Sequence, residues 1–329
     1  MSEIIGRDLE VGLAVEDTRG TAQSSAEKWL KRASVNIRER AEHVTDDNTV
    51  GSLEDSEGRK VVQKWLEGEL EASVQADMVG YLLYNLYGSV TSSELSSGVY
   101  EHTFTLEDSI QHSSLSIFVK DGSIEQQVFD TGMVASLEIN ASTEELVRMT
   151  ANFQAKEGTS NSDTPSYDTE YDFVGKDITV KVADTESGLS GADELNLKDI
   201  TVSWDAGTIL DFVLGQYTPK DIFNGAFALE GSFTKNYIDD TFKSLYQNDT
   251  SKYMRITIEG TEDLGGGNYP KIQITLNKVM VTDWDKSDDN DEPVTEEISF
   301  KAFRNSSDDE QSEVVIQNVT EEYDIAPTV

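Results

Sequence analysis

The chain has 329 residues, with 63 Asp and Glu against 26 Lys and Arg, a formal net charge of −37 and no cysteine. Disulfides and thiolate chemistry are therefore excluded, and a field of this sign opposes binding to nucleic acid or anionic lipid, whose phosphates call for Lys and Arg. No run of about 18 apolar residues occurs, and Met1 to Arg7 lacks a basic segment followed by an apolar one, so neither a membrane span nor a secretory signal is expected.

Strand and helix signals alternate along the chain. Val11 to Val15 predicts a short strand, and Thr21 to Leu30 a helical turn with Ser24 or Ser25 as its cap ahead of Glu27. Ser34 to Arg38 has the period of a half-buried strand. Asp46 to Gly58 is rich in turn formers and acids and reads as a long exposed loop. Val61 to Val74 alternates again, with a bulge or bend expected at Gly68. Asp77 begins a helix in which Met78, Leu82 and Leu86 share a face and Gly88 is the stop. Strands are expected over Tyr100–Leu106, Ser114–Lys120, Val128–Ile139 and Leu146–Ala155.

Thr159 to Asp168 is rich in Ser, Asp and Thr and reads as a linker or exposed loop. Beyond it, Ile178–Val182, Asp199–Trp204 and Ala226–Phe233 read as strands. Asn236 is the expected cap of a second helix, with Ile238, Phe242 and Leu245 facing one way. Met254–Glu259, Lys271–Val281, Glu297–Phe303 and Val314–Val319 are further strands. Gly265-Gly266-Gly267 reads as a hairpin turn, since no Lys-Ser/Thr follows as in a phosphate cradle. Asp283 to Glu292 reads as an acidic loop.

The two halves repeat one another. Leu13-Ala14-Val15-Glu16-Asp17-Thr18 parallels Val180-Lys181-Val182-Ala183-Asp184-Thr185, and Leu30-Lys31-Arg32-Ala33-Ser34-Val35 parallels Leu197-Lys198-Asp199-Ile200-Thr201-Val202. Leu70-Glu71-Ala72-Ser73 and Leu86-Tyr87 likewise match Leu229-Glu230-Gly231-Ser232 and Leu245-Tyr246. A repeat of roughly 160 residues is the size of a domain, not of a solenoid module. The reading is mainly β (α+β), with a domain over 1–158, a linker or exposed loop over 159–175 and a second domain over 176–329. Each domain is a β-sandwich or part-barrel with one flanking helix.

Catalytic chemistry finds little support. His43, His102 and His112 lack the spacing of a metal pair or a triad and read as structural or solvated. Asp288, Asp289 and Asp291 could collect a hard cation, but their loop lacks the glycine and terminal Glu of an EF-hand, and a solvated loop is the favoured reading. With 63 carboxylates no glycosidase-like pair stands out. No cofactor is expected.

The charge is uneven, because residues 1–64 hold 10 of the 26 basic residues and are close to neutral. Acidity on this scale suits a protein kept soluble in high salt, where the Debye length falls to about 3 Å at 1 M. It also suits a surface that repels DNA lying beside it. Lys outnumbers Arg, 17 to 9, which weakens the salt argument.

Several segments resemble the tail tube (major tail) proteins of viruses with long, non-contractile tails. They are Gly51-Ser52-Leu53-Glu54-Asp55-Ser56-Glu57-Gly58, Trp65-Leu66-Glu67-Gly68-Glu69-Leu70-Glu71, Gly80 to Ser89, Tyr100 to Thr105, His112 to Ile117 and Leu197 to Val202. The resemblance implies a non-enzymatic virion protein whose inner sheets join around a lumen and whose rings stack into a tube that conducts genomic DNA. It also implies contacts with tape-measure, tail terminator and baseplate proteins, synthesis in the host cytoplasm and no membrane association. Many relatives carry one such domain and form hexamers. A doubled chain implies a homotrimeric, pseudo-hexameric ring, and its acidity a halophilic archaeal host. Arg32, Arg38, Arg40, Asp46, Asp47, Glu54, Asp55 and Arg59 are the expected inter-subunit contacts, in the loop 46–58, in the relatively basic segment before it and, at Arg59, directly after it. An acidic adhesin or virion decoration protein, or a salt-adapted glycan hydrolase, are the competing readings.

Overall fold

The computed structural model describes residues 4–47, 51, 53, 56, 58–287 and 291–323. It is mainly β. The first half runs β1 (Leu9–Val15), β2 (Lys28–Trp29), β3 (Ser34–Asp46), β4 (Gly58–Ser73), α1 (Ala76–Tyr87), β5 (Gly88–Ser96), β6 (Val99–Leu106), β7 (Leu115–Asp121), β8 (Glu125–Ser142), β9 (Arg148–Ala155) and β10 (Gly158–Ser160). The second half runs β11 (Ile178–Ala183), β12 (Leu197–Asp205), β13 (Ile209–Asp211), β14 (Asp221–Phe223), β15 (Ala228–Asn236), α2 (Thr241–Gln247), β16 (Lys252–Glu259), β17 (Lys271–Lys286), β18 (Thr295–Ala302) and β19 (Ser312–Asn318).

One set of pairings occurs twice. In the first half β1 pairs β7, β3 pairs β4, β4 pairs β9, β9 pairs β8, and β8 also pairs β7 and β10. In the second half β11 pairs β16, β12 pairs β15, β15 pairs β18, β18 pairs β17, and β17 also pairs β16 and β19. The pairings match residue by residue, but in a register shifted from the sequence correspondence: Val202 is equivalent to Ile37 and not Val35, and Gly231 to Gly68 and not Ala72. Ile37, Gly68, Phe153 and Val134 lie in one row across four strands, and Val202, Gly231, Phe300 and Val281 form the same row in the second half. The strands shift register at matching places, between Val134 and Ser136 and between Val281 and Asp283. Such a shift kinks a long strand and lets it serve two layers.

One layer is therefore continuous. β3, β4, β9 and the end of β8 form its first half, and β12, β15, β18 and the end of β17 its second. They join where β8 pairs β12, with Val202 opposite Ile139 and Trp204 opposite Leu137. The covering layer holds β2, β1, β7, the start of β8 and β10 over the first half. Over the second half it holds β11, β16, the start of β17, β19, β6 and β5. The β5–β6 hairpin thus crosses from the first half to complete the sheet of the second.

Alternation explains the core. Leu66, Leu70, Ala151, Phe153, Leu137, Ile200, Val202, Trp204, Leu229, Phe233, Ile298 and Phe300 all face inward and are buried. Gly68 and Gly231 fall on the same inward face. A Cβ there would lie 2.3 Å from the Asn36 carbonyl and 2.4 Å from that of Thr201. Close backbone approach, and not a bulge, is thus the reason for glycine at 68: β4 runs through it, and the β3–β4 register shifts at Glu42/His43 instead. The helix α1 matches expectation. Every residue from Ala76 to Tyr87 is buried, and Gly88 ends it at φ 81 with its N–H on the Tyr84 carbonyl.

Other expectations fail for identifiable reasons. Residues 21–30 contain no helical turn, because tertiary acceptors take the N–H groups: Gln23 donates to Ser116 Oγ (2.8 Å), Ala26 to Asp163 (2.7 Å) and Glu27 to the Leu13 carbonyl. Asn236 is no cap. It closes β15 opposite Thr295, Asp240 precedes α2, and Ile238 is exposed. Asp283–Lys286 are not loop but the end of β17, paired with β18. The segment after β10 lacks regular structure yet is pinned, with Phe173 fully buried and Lys28 Nζ 2.5 Å from Glu170.

Candidate assembly interface

The continuous layer ends in two open edges. Among the described residues β3 pairs only β4, and β17 from Asp283 to Lys286 pairs only β18. Neither edge is covered by another strand, the condition that invites pairing with another chain; on the β17 edge Asp283 Oδ1 and Asp285 Oδ1 accept from the N–H groups of Trp284 (2.9 Å) and Lys286 (2.7 Å), local bonds that an incoming strand would displace. The side chains of both edges are charged. Arg38 and Arg40 project from β3 on the face away from the core, and Asp283 and Asp285 do so from β17, since in each strand the intervening residues Ile37, Glu39 and Trp284 take the other face.

The β17 edge is held rigidly from behind. Glu296 is fully buried and accepts hydrogen bonds from Lys235 Nζ (2.7 Å) and Trp284 Nε1 (2.7 Å). Lys235 also lies 5.2 Å from the centre of the Phe242 ring, Lys243 5.5 Å from that of Trp284, and Lys286 5.5 Å from that of Tyr237. These contacts fix the rotamers that the edge presents. Behind β3, Arg40 Nε donates to Glu67 of β4 at 2.7 Å. Beyond it, the loop after β13 leans on β4: Lys64 N donates to the Tyr217 carbonyl (2.8 Å), and the Trp65 and Phe212 rings meet edge to face at 6.0 Å.

The expected contact residues separate into groups. Arg38, Arg40, Asp46, Asp47 and Arg59 gather on or next to the β3–β4 hairpin. Arg32 does not join them, because its guanidinium donates to the Gly6 and Leu9 carbonyls. Lys28, from the same basic segment, is buried against Glu170, with Asp168 at 3.1 Å. Burial opposes its charge, but the bonds to Glu170 raise its pKa on balance. Glu54 and Asp55 lie outside the described residues, as do Asp288 and Asp289 of the candidate cation loop; Asp291 is exposed past the end of β17. Sequence reasoning missed Asp283, Trp284, Asp285 and Lys286 as edge residues. Alternation could not find them, since the register shift between Val281 and Asp283 reverses the phase set by Val279 and Val281 and puts Trp284, not Asp283, on the core side.

The buried polar groups are structural. His102 is fully buried; its Nδ1 lies 2.7 Å from Ser92 Oγ and its Nε2 faces Asn318 Oδ1 and the Thr320 carbonyl. Burial lowers its pKa. His112 faces the Asn85 and Glu107 carbonyls, while His43 is near the Ala41 carbonyl on the hairpin. Arg19 ties the halves together through Asp221 (3.0 Å) and the His112 and Ile222 carbonyls. Burial pushes Asp221 up, but the Ile222 N–H and the Arg19 guanidinium hold it below the usual carboxylate range. Trp204 Nε1 donates to Tyr87 Oη (3.1 Å), which pairs with Ser312 Oγ (2.8 Å). Among the described residues no group of three or more His, Cys, Asp or Glu is placed to hold a metal ion.

Two stitched β units with one continuous layer and an open edge at each end define a class: a mainly β protein whose sheet is left uncovered at both ends. The family comparison supplies the particular case. A family profile described as phage tail tube protein matches residues 6–302, and the chain belongs to that family. It is thus a structural component of a virion tail. No curated protein matches the chain.

Proposed function

We propose that three copies close into a ring through the edges of the continuous layer, and that rings stack into the tube of a long, non-contractile tail. The observation that carries this reading is the pair of open edges at the two ends of one layer in a tail tube family member, with Arg38 and Arg40 on the outward face of β3 and Asp283 and Asp285 on that of β17. A solitary adhesin or decoration domain would leave both edges exposed to aggregation. The repeated pairing supports treating each half as one tube domain, so that a trimer has six similar positions. Each chain contributes eight strands to the layer. A barrel of about 24 strands at about 4.8 Å spacing is roughly 35–50 Å across between backbones, wide enough for duplex DNA.

The layer's non-core face is polar and mostly acidic. Glu67, Glu69, Glu71, Glu138, Glu230 and Glu297 alternate there with Ser, Thr and Asn, and Arg148 and Lys301 interrupt them. Turned to the lumen, such a face repels phosphate and grips none of it, so that DNA slides during ejection. Tape-measure, terminator and baseplate proteins are the partners this reading entails. The net charge of −37 supports a high-salt, haloarchaeal host. The test is electron microscopy of the purified protein in molar salt. Stacked rings with an open lumen are expected; monomers at every salt and protein concentration would refute the reading.

A further inference from the structure

The junction between the two halves is a template for the junction between chains. Within the chain, the free edge of β8 is filled by β12 in a fixed register: Val202 opposite Ile139, Ser203 opposite Glu138, Trp204 opposite Leu137 and Asp205 opposite Ser136. The matching four-strand rows make Ile37 the counterpart of Val202 and Val281 the counterpart of Val134. The register shift after Val134 and after Val281 is the same, so counting on along each strand makes Lys286 the counterpart of Ile139.

From this we infer that the β17 edge of one copy is filled by β3 of a second copy in the register Ile37 opposite Lys286, Arg38 opposite Asp285, Glu39 opposite Trp284 and Arg40 opposite Asp283. The inference rests on the ring-forming reading and adds the residues that set it. Charge supports this register independently of the repeat. On the face away from the core it puts two arginines opposite two aspartates. On the core-side face it puts Glu39 diagonal to Lys286, within reach of long side chains. A slip of one residue would put each arginine on the opposite face from the aspartates. A slip of two would leave one arginine and one aspartate without its partner. Arg40, already on Glu67 at 2.7 Å, would bridge two carboxylates, which a guanidinium with five donors can do.

The helices tell the same story. All of α1 is buried, partly by Tyr323 and by β6 and β19 at the internal junction, whereas only Phe242 and Leu245 of α2 are buried. Tyr246 of α2 is 41% exposed, whereas Tyr87 of α1 is fully buried.

Because the chain has no cysteine, introduced pairs report register directly. Facing residues on antiparallel strands have Cα atoms within disulfide range, while diagonal neighbours lie near or beyond its limit. The Arg38→Cys/Asp285→Cys variant is expected to oxidise in assembled protein to a reducible dimer–trimer ladder. The slipped pairs Arg38→Cys/Asp283→Cys and Arg38→Cys/Ser287→Cys should give at least about ten-fold less. As a second measurement, Arg38→Asp/Arg40→Asp should abolish tubes, and adding Asp283→Arg/Asp285→Arg to the same chain should restore them. Tubes that cross-link best at a slipped pair, or a swap that restores nothing, would overturn the register while leaving the ring-forming reading standing. A wild-type chain that never forms rings would remove both.

Discussion

The ion pair behind the β17 edge gives the sharpest test of how the second half is held. Lys235 and Glu296 have side chains 6% and 0% exposed, and Glu296 also accepts from Trp284. Replacing Glu296 by Ala removes both acceptors and leaves the Lys235 ammonium buried without its ion-pair partner, beside the Phe242 ring and within electrostatic reach of Asp239. Breaking such a pair from one side costs about 3–5 kcal/mol. The Phe242 contact is present before and after the change and offsets none of this, so a loss of about 3–5 kcal/mol is expected. The double change Lys235→Met/Glu296→Leu removes both charges and fills similar volume. Because desolvation offsets most of a buried pair's attraction, the double variant should fall within about 1–2 kcal/mol of wild type; the lost Trp284 hydrogen bond accounts for part of that. Urea unfolding followed by Trp fluorescence measures both variants. The reasoning fails if Glu296→Ala loses less than about 1 kcal/mol, or if the double variant is the less stable of the two.

Further outcomes follow from other positions. Gly231→Ala and Gly68→Ala should each cost about 1–3 kcal/mol or more through overpacking, since the new Cβ meets backbone at 2.4 and 2.3 Å; a change under about 0.5 kcal/mol by urea titration would contradict this. Tyr87→Phe strands the Trp204 N–H and the Ser312 hydroxyl and should cost about 1–3 kcal/mol, with a neutral result counting against that network. Glu16 is buried, and desolvation raises its pKa above 4.5 despite bonds from Ser114, Gly20 and Thr131. The native state therefore holds this proton more tightly than the unfolded chain, so stability rises as pH falls through the raised value toward 4.5. Glu16→Gln, which cannot titrate, should show a flatter melting temperature between about pH 7 and 5, and parallel profiles would refute the assignment. Finally, a chain of net charge −37 should melt higher in molar NaCl than in 0.1 M, where the Debye length is about 10 Å; a melting temperature that falls with salt would show that self-repulsion is not limiting.

Much of this architecture was legible because burial imposes a period. Leu66 and Leu70, Ala151 and Phe153, and Ile298 and Phe300 alternate with polar neighbours, and each run is a strand. Met78, Leu82, Leu86 and Gly88 likewise fixed α1 and its end. What stayed hidden lacked an apolar face or depended on distant partners. β5 is Ser- and Thr-rich and half exposed at a sheet edge, while β13 and β14 have only three residues each. The end of β17 resembled an acidic loop because Asp283 and Asp285 face solvent and the register shift after Val281 hides the period that Trp284 would show. β3 was legible over Ser34–Arg38 by its alternation, but its continuation to Asp46 was not, because that stretch is polar and mostly exposed. Gly68 misled because glycine in a strand signals either a bulge or close approach, and only the Asn36 carbonyl at 2.3 Å decides between them.

The most direct test of the assembly account is a cryo-electron microscopy reconstruction of tubes formed by the purified protein in molar salt. The account requires three chains per ring and one continuous β-barrel around the lumen, with β3 of each chain lying antiparallel beside β17 of its neighbour. Six chains per ring, or a lumen wall in which those two strands do not meet, would contradict it.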